Sequence, residues 1–250
     1  MTEKTNKVKI TQFIPFFIML IAAGITAVIY FLRNGEPVPA LYFLAALATS
    51  LAPLLFPLYY LLTGKKIPLA ICVTVCVHLA CAAHLGTVLK FYDTFKWWDL
   101  LCHGYFGFNA ALIVFWFMAD SGKIRLNPVW LVFLALSVAL ALGALWEIVE
   151  YITDRLFDGD AQRVQESLAL GKSPMKDTME DLMITVAGVA VFAAVVFADF
   201  LSKGKLFSRL GLSAEKAAAQ TEDFAFEHEK GESEPCEKNS FAPPREPPLQ

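Results

Sequence analysis

The sequence predicts an all-α protein: a polytopic membrane helical bundle with six transmembrane helices and a disordered C-terminal tail. Hydrophobic residues make up 56% of the 250 residues and charged residues only 18%, whereas soluble domains carry about 25% charged residues. The mean hydropathy of the chain is +0.52. The apolar residues form solid runs and do not alternate every second residue, which favours helices over a β-barrel.

Six stretches of the chain carry no Asp, Glu, Lys or Arg, and each is long enough to cross a bilayer. A helix needs about 20 mostly apolar residues to span about 30 Å of hydrocarbon. A buried soluble core could explain one such stretch but not all of them. The predicted spans lie near residues 10–32, 40–62, 67–89, 99–119, 128–150 and 180–201.

The first two spans have local features of their own. A short basic stub, residues 1–9, precedes the first span as it would in a secretory signal. The apolar run is too long for a signal peptide, and the RNG sequence at 33–35 lacks the small residues of a cleavage site, so we expect a retained helix. The second span contains Pro53 and Pro57 on one helical face, which predicts a kink.

The composition changes after the sixth span. Residues 202–250 are rich in glutamate and end in a proline-rich segment, which is typical of a solvated, largely disordered tail. Lys and Arg in short loops set the orientation of membrane helices. Ten of them lie on the side of the N-terminus and seven on the opposite side. Both the basic stub and the acidic tail are therefore predicted to be cytoplasmic.

Charge and cysteine content exclude several other classes of protein. A net charge of −3 provides no basic surface, so no nucleic-acid partner is predicted. The five cysteines form no CxxC pair, which argues against a disulfide framework and against a thiolate metal site. The lipid bilayer is the predicted partner, and the sequence sets no oligomeric state.

Ionisable residues collect where the third to sixth spans meet one membrane surface, which the charge bias predicts to be extracytoplasmic. Asp99 and His103 lie four residues apart at the start of the fourth span, so they share a helical face. His84 lies near the end of the third span, and the long loop 158–176 is either a lid or a connector. The candidate metal ligands are Asp99, His103, Glu147, Glu150, Asp154, Asp177 and Asp181, and the candidate catalytic residues are Glu147, Glu150 and His103.

Such a set of carboxylates needs protons or a cation. Several carboxylates close together in a low dielectric cannot all stay ionised. Lys90, Lys96 and Arg155 are near in sequence but lie off the inward stripes, so we expect the cluster to lack its own counter-charge. Either some carboxyl groups are protonated or a divalent metal lies among them. Oxygen and imidazole ligands suit Mg, Mn, Fe or Zn.

The individual residues have both functional and plainer interpretations. In an enzyme, Glu147 and Glu150 would be metal ligands or general bases, and His103 would be a ligand or proton carrier oriented by Asp99. The plainer alternative is that acids at helix ends are hydrated caps. Acidic side chains in the first turn of a helix are also stabilised by the positive end of the helix dipole, whereas acidic side chains at a helix C-terminus are not.

Two motifs resemble a known family. The sequences WEIVEY at 146–151 and DTMEDLMITVAGVAV at 177–191, with HGYFGF at 103–108, resemble the uncharacterised YjdF-like family of bacterial inner-membrane proteins. The resemblance covers about residues 85–190. It implies a six-helix, multi-pass protein of the bacterial plasma (inner) membrane and brings no established reaction. A more distant resemblance is to VanZ-like membrane proteins, in which an asparagine would stand at Thr185.

These observations predict an integral membrane protein with an acidic and histidine-containing cation site that acts on lipid or cell-envelope precursors. The first alternative is a proton- or cation-coupled transporter. It ranks second because the first two spans contain almost no polar groups, and the inner halves of the others are apolar apart from Thr74, His78 and Asn109. The second alternative is a non-catalytic membrane scaffold, in which the acids would tolerate replacement.

Overall fold

The computed structural model describes residues 10–121, 128–203, 205 and 207. Within this part of the chain the regular structure is helical. The basic stub 1–9, residues 122–127 and nearly all of the predicted acidic tail lie outside the described residues. The helices are α1 (Ile14–Asn34), α2 (Ala40–Leu51), α3 (Leu55–Thr63), α4 (Leu69–Leu79), α5 (Phe91–Thr94), α6 (Trp98–Ser121), α7 (Pro128–Phe157), α8 (Val164–Ala169) and α9 (Lys176–Leu201).

Six helical units are long and apolar enough to cross a membrane, so the predicted six-helix membrane bundle is confirmed. Each of these units contains at least 20 residues, which matches the thickness of the hydrocarbon core. The six units are Ile14–Asn34, Ala40–Thr63, Leu69–Val88, Trp98–Met118, Val129–Phe157 and Lys176–Leu201.

The second and third spans are not uniform α-helices. A 3-10 turn, Ala52–Leu54, separates α2 from α3 at Pro53, because proline lacks the N–H that an α-helix needs. This is the interruption that the sequence predicts. The third span continues from α4 into a π-helical segment, Ala80–Val88, and π-helical turns are frequently found at functional sites.

The last two long helices extend beyond their apolar runs. The apolar pattern predicts that the fifth span ends near residue 150, but α7 continues to Phe157. It also predicts that the sixth span begins near residue 180, but α9 begins at Lys176. Hydrocarbon thickness limits the apolar run but not the helix, because a polar extension can be hydrated. All the predicted acids of these two segments therefore lie on helices.

α6 and α9 approach each other at backbone distance, and α7 packs against both. A Cβ atom added to Gly188 would lie 2.0 Å from the carbonyl oxygen of Gly104, and one added to Gly107 would lie 2.2 Å from that of Thr185. Small residues of this kind allow membrane helices to pack closely. The contact fixes the first turns of α6 and α9 side by side, where the predicted acids lie.

Candidate metal centre

Three candidate ligands meet where α6 and α9 begin. Asp99, His103 and Asp181 each offer a ligand atom, and these atoms all lie within 4.8 Å of one another. The His103 Nε2 atom is 3.6 Å from Asp99 Oδ1 and 3.8 Å from Asp181 Oδ2. The helical spacing of Asp99 and His103 places both on one face of α6, and the glycine contacts just beyond them bring in Asp181 from α9.

The Asp181 carboxylate is buried without a hydrogen-bond partner. The residue is 1% exposed, and among the described residues neither of its oxygens has a hydrogen-bond partner. Asp177 Oδ2 and Glu147 Oε1 are also buried, and neither has a hydrogen-bond partner among the described residues. Buried carboxylate oxygens are almost always paired or bound to a metal. These oxygens therefore need either protons or a cation.

Glu147 joins the cluster from α7 through a loop residue. The Glu147 side chain is buried, and its Oε2 atom lies 3.5 Å from the donating Nε2 amide of Gln162. The same Gln162 amide donates to the backbone carbonyl of Glu147 at 3.2 Å and to Thr178 Oγ1 at 3.4 Å. Gln162 thereby connects the loop to α7 and α9. Sequence reasoning missed this residue, because a loop glutamine carries no spacing signal.

Glu150 and Asp154 have partners of their own. Glu150 is half-buried, and its Oε1 atom accepts a hydrogen bond from the indole N–H of Trp146 at 2.8 Å. The two oxygens of Asp154 accept the backbone N–H groups of Ala161 at 2.7 Å and Gln162 at 3.1 Å. The structure therefore brings Asp154 to the loop that follows α7. It does not group Asp154 or Glu150 with the three close ligands.

The expectation that the cluster lacks a counter-charge needs correction. The Arg163 guanidinium Nη2 lies 3.7 Å from Asp99 Oδ2 and donates to the backbone carbonyl of Tyr92 at 3.1 Å. Arg163 has a φ of +46°, a left-handed conformation that non-glycine residues rarely adopt. Sequence reasoning considered neighbours of the spans and missed Arg163, because the loop 158–176 folds back over the start of α6.

Tyr92 on α5 forms part of the wall beside Asp99. Its ring fills the space next to Gly86, where an added Cβ would lie 2.4 Å from a ring carbon. Burial raises the pKa of the Tyr92 phenol well above its usual range, with further contributions from Cys102 and Asp99. The phenol, which is neutral at physiological pH even with the ordinary tyrosine pKa of about 10, therefore keeps its proton over a wider pH range.

His84 has a different environment from the acid cluster, the group formed by Asp99, His103, Glu147, Asp177 and Asp181. The residue is 2% exposed, and its Nδ1 and Nε2 atoms each lie 3.3 Å from a hydroxyl oxygen, of Thr26 on α1 and Ser50 on α2 respectively. His84 therefore links the first three spans by side-chain hydrogen bonds. These are the contacts of a histidine packed between helices.

The donor set restricts the chemistry. Two carboxylates and one imidazole supply oxygen and nitrogen ligands, which suit Mn, Fe or Zn and, with more water, Mg. Asp177 lies nearby, since Asp177 and Asp99 both act electrostatically on Asp181. A cation held here would have further carboxylates around it and Arg163 at its edge.

The fold and the site define a class of protein: a multi-pass helical membrane protein with a buried acid–histidine cluster at one end of its last three long helices. The chain belongs to a family of predicted membrane proteins, DUF2238, whose model matches residues 12–203. This agrees with the resemblance to an uncharacterised bacterial membrane family.

The chain is also similar to a protein whose own function is uncharacterized. An uncharacterized protein of Thermotoga maritima is 25% identical over 114 residues, which is 45% of this chain. The chain spans about half of the length of this curated relative, 54%. No solved structure matches the chain.

Proposed function

We propose that this membrane protein binds a divalent cation through Asp99, His103 and Asp181 and acts on a lipid or cell-envelope precursor. The observation that carries the proposal is the Asp181 carboxylate. Both of its oxygens are buried and unpartnered in the described part of the chain, and His103 and Asp99 lie beside it. A divalent cation would satisfy all three side chains at once.

The residues around the three ligands have supporting roles in this proposal. A bound cation would polarise an oxygen of the substrate. Glu147, whose Oε1 atom is unpartnered among the described residues, would take a proton from a nucleophilic water, and Gln162 would orient its other oxygen. Arg163 balances the charge of Asp99. These residues come from three long helices and one loop, so the site exists only in the folded bundle.

The location of the cluster favours a substrate at the membrane boundary. The site lies at the beginning of α6 and α9 and near the end of α7. A lipid-linked substrate would reach this depth from the bilayer with its polar end towards water. We place this end of the bundle outside the cytoplasm of a bacterial cell, with both termini inside, because of the loop lysines and arginines.

Metal analysis of the purified protein tests the proposal. We expect wild-type protein that is loaded with Mn²⁺ or Zn²⁺ and then desalted to retain about one ion per chain. Asp181→Asn should bind the metal at least about 10-fold more weakly, because even changes to residues that only hold a ligand in place weaken metal binding that much. Asp199→Asn is the matched control: Asp199 is a buried acid at the other end of α9, and Asn can still accept from Phe207 N. Equal retention by wild type and Asp181→Asn would contradict the proposal.

A further inference from the structure

A cavity of about 240 Å³ lies next to the acid cluster. It is bounded by the segment before α6, the start of α9 and the loop that carries α8. Asp99 and Asp177 line it and also belong to the acid cluster. The cavity is somewhat smaller than the roughly 300 Å³ at which small-molecule pockets begin. Its size suits one polar headgroup.

We propose that this cavity, the headgroup cavity, binds a phosphate group, and this inference rests on the proposed function. Four cationic side chains line it: Lys96, Arg163, Lys172 and Lys176. They come from separate segments of the chain, and folding brings them together around one space. Phosphate oxygens are the usual ligands of such converging lysine and arginine side chains.

The acids of the cavity do not exclude an anion. Asp99 and Asp177 lie on the side of the cation site, and a divalent ion held there would leave the cavity net positive. Lys96 pairs with Glu166, and Lys176 pairs with Glu180, but these side chains are between 32% and 70% exposed. Ion pairs in contact with solvent contribute little to stability, so a phosphate group can compete with Glu166 and Glu180 for these lysines.

Helix geometry adds to the attraction for an anion. Asp99 and Leu100 in the first turn of α6, and Lys176 in the first turn of α9, line the cavity. The positive end of the helix dipole favours anions at such positions. Asp177 Oδ2 is buried and unpartnered among the described residues, as expected of a carboxylate oxygen beside a cation site.

Binding of a soluble phosphate monoester tests the inference. Glycerol 3-phosphate is titrated calorimetrically into the full-length protein in phosphatidylcholine nanodiscs, with and without Mn²⁺. We expect Lys172→Gln/Lys176→Gln to bind it at least tenfold more weakly than wild type while retaining as much metal. Lys65→Gln/Lys66→Gln removes the same charge at the opposite ends of the helices, between α3 and α4, and should bind like wild type.

The two proposals fail in different ways. If wild type retains metal but binds no glycerol 3-phosphate, or if the Lys172→Gln/Lys176→Gln variant binds it equally well, the phosphate site is wrong and the metal site stands. If no metal is retained but binding still depends on these lysines, the metal site is wrong and the phosphate site stands. The exposed single variant Lys172→Gln replaces the double variant if the latter does not fold, with weaker binding again expected.

A second arm identifies the source of the phosphate. In nanodiscs that contain phosphatidate, a lipid headgroup in the cavity would compete with glycerol 3-phosphate and weaken its apparent affinity relative to phosphatidylcholine nanodiscs. An unchanged affinity would support a soluble phosphate compound as the ligand. Both results keep the phosphate site.

Discussion

At Asp154 the two carboxylate oxygens already accept the backbone N–H groups of Ala161 and Gln162. An added Cβ on Gly159 would lie 2.8 Å from Asp154 Oδ1, so the turn after α7 is folded tightly around this side chain. The next residues, Gln162 and Arg163, contact the acid cluster. Asp154 thus has a positioning role: it holds the loop whose side chains complete the site.

We expect Asp154→Ala to loosen this loop without removing the metal ligands. Loss of two hydrogen bonds to a carboxylate should cost about 1–3 kcal/mol of local stability. Amide hydrogen exchange at residues 158–163 should become faster, while metal retention stays near the wild-type value. Asp154→Asn should be intermediate, since its amide oxygen still accepts. If Asp154→Ala loses the metal while the loop exchanges as slowly as before, Asp154 is a ligand, as the sequence predicts.

At the scale of the helix pair, the contact between α6 and α9 determines how closely His103 and Asp181 lie. Thr185 on α9 donates to the carbonyl oxygen of His103 at 3.5 Å. One turn further on, Gly188 contacts the backbone of Gly104. The metal ligands and the glycines that allow close packing therefore lie along the same interface between α6 and α9. Separation of the two helices would therefore open the metal site.

We expect Gly188→Ala to destabilise the bundle by about 1–3 kcal/mol, because backbone atoms must shift to accept the methyl group. Metal retention should fall with it. Gly24→Ala on α1 is the matched control: an added Cβ there meets nothing within 4 Å, and alanine is the better helix former by about 1 kcal/mol. Thermal unfolding in detergent measures both variants. Equal unfolding temperatures for wild type and Gly188→Ala would contradict the close contact.

The sequence predicts what periodicity and polarity encode, and it misses what depends on tertiary contacts. Asp99 and His103 could be paired because a helix places residues four apart on one face. The selection of Asp181 from the predicted acids required the distance between α6 and α9. Gln162 and Arg163 were missed, because their contribution depends on how a loop folds back over the helices.

For the whole molecule, the unequal distribution of polar groups along the bundle bears on the mechanism. The acid cluster occupies one end of α6, α7 and α9. Deeper in the bundle, the buried Asn109 side chain has no hydrogen-bond partner among the described residues. The His78 ring lies 5.6 Å from that of Tyr105. His78, Tyr105 and Asn109 lie near one another but carry no carboxylate, whereas the acid cluster lies at one end of the bundle, which supports chemistry at one surface over transport through the bundle.

Surface chemistry on an envelope precursor requires the acid cluster and the headgroup cavity to face away from the cytoplasm. We expect a membrane-impermeant thiol reagent added to intact cells to label Lys172→Cys, in the loop after α8, but not Lys66→Cys, between α3 and α4. Detergent should make both accessible, because Lys172 and Lys66 are exposed. Wild type is the control for the five native thiols: Cys72, Cys76, Cys81 and Cys102 lie within spans, and Cys236 belongs to the C-terminal tail. Labelling of Lys66→Cys alone would reverse the orientation and direct the site to a cytoplasmic substrate.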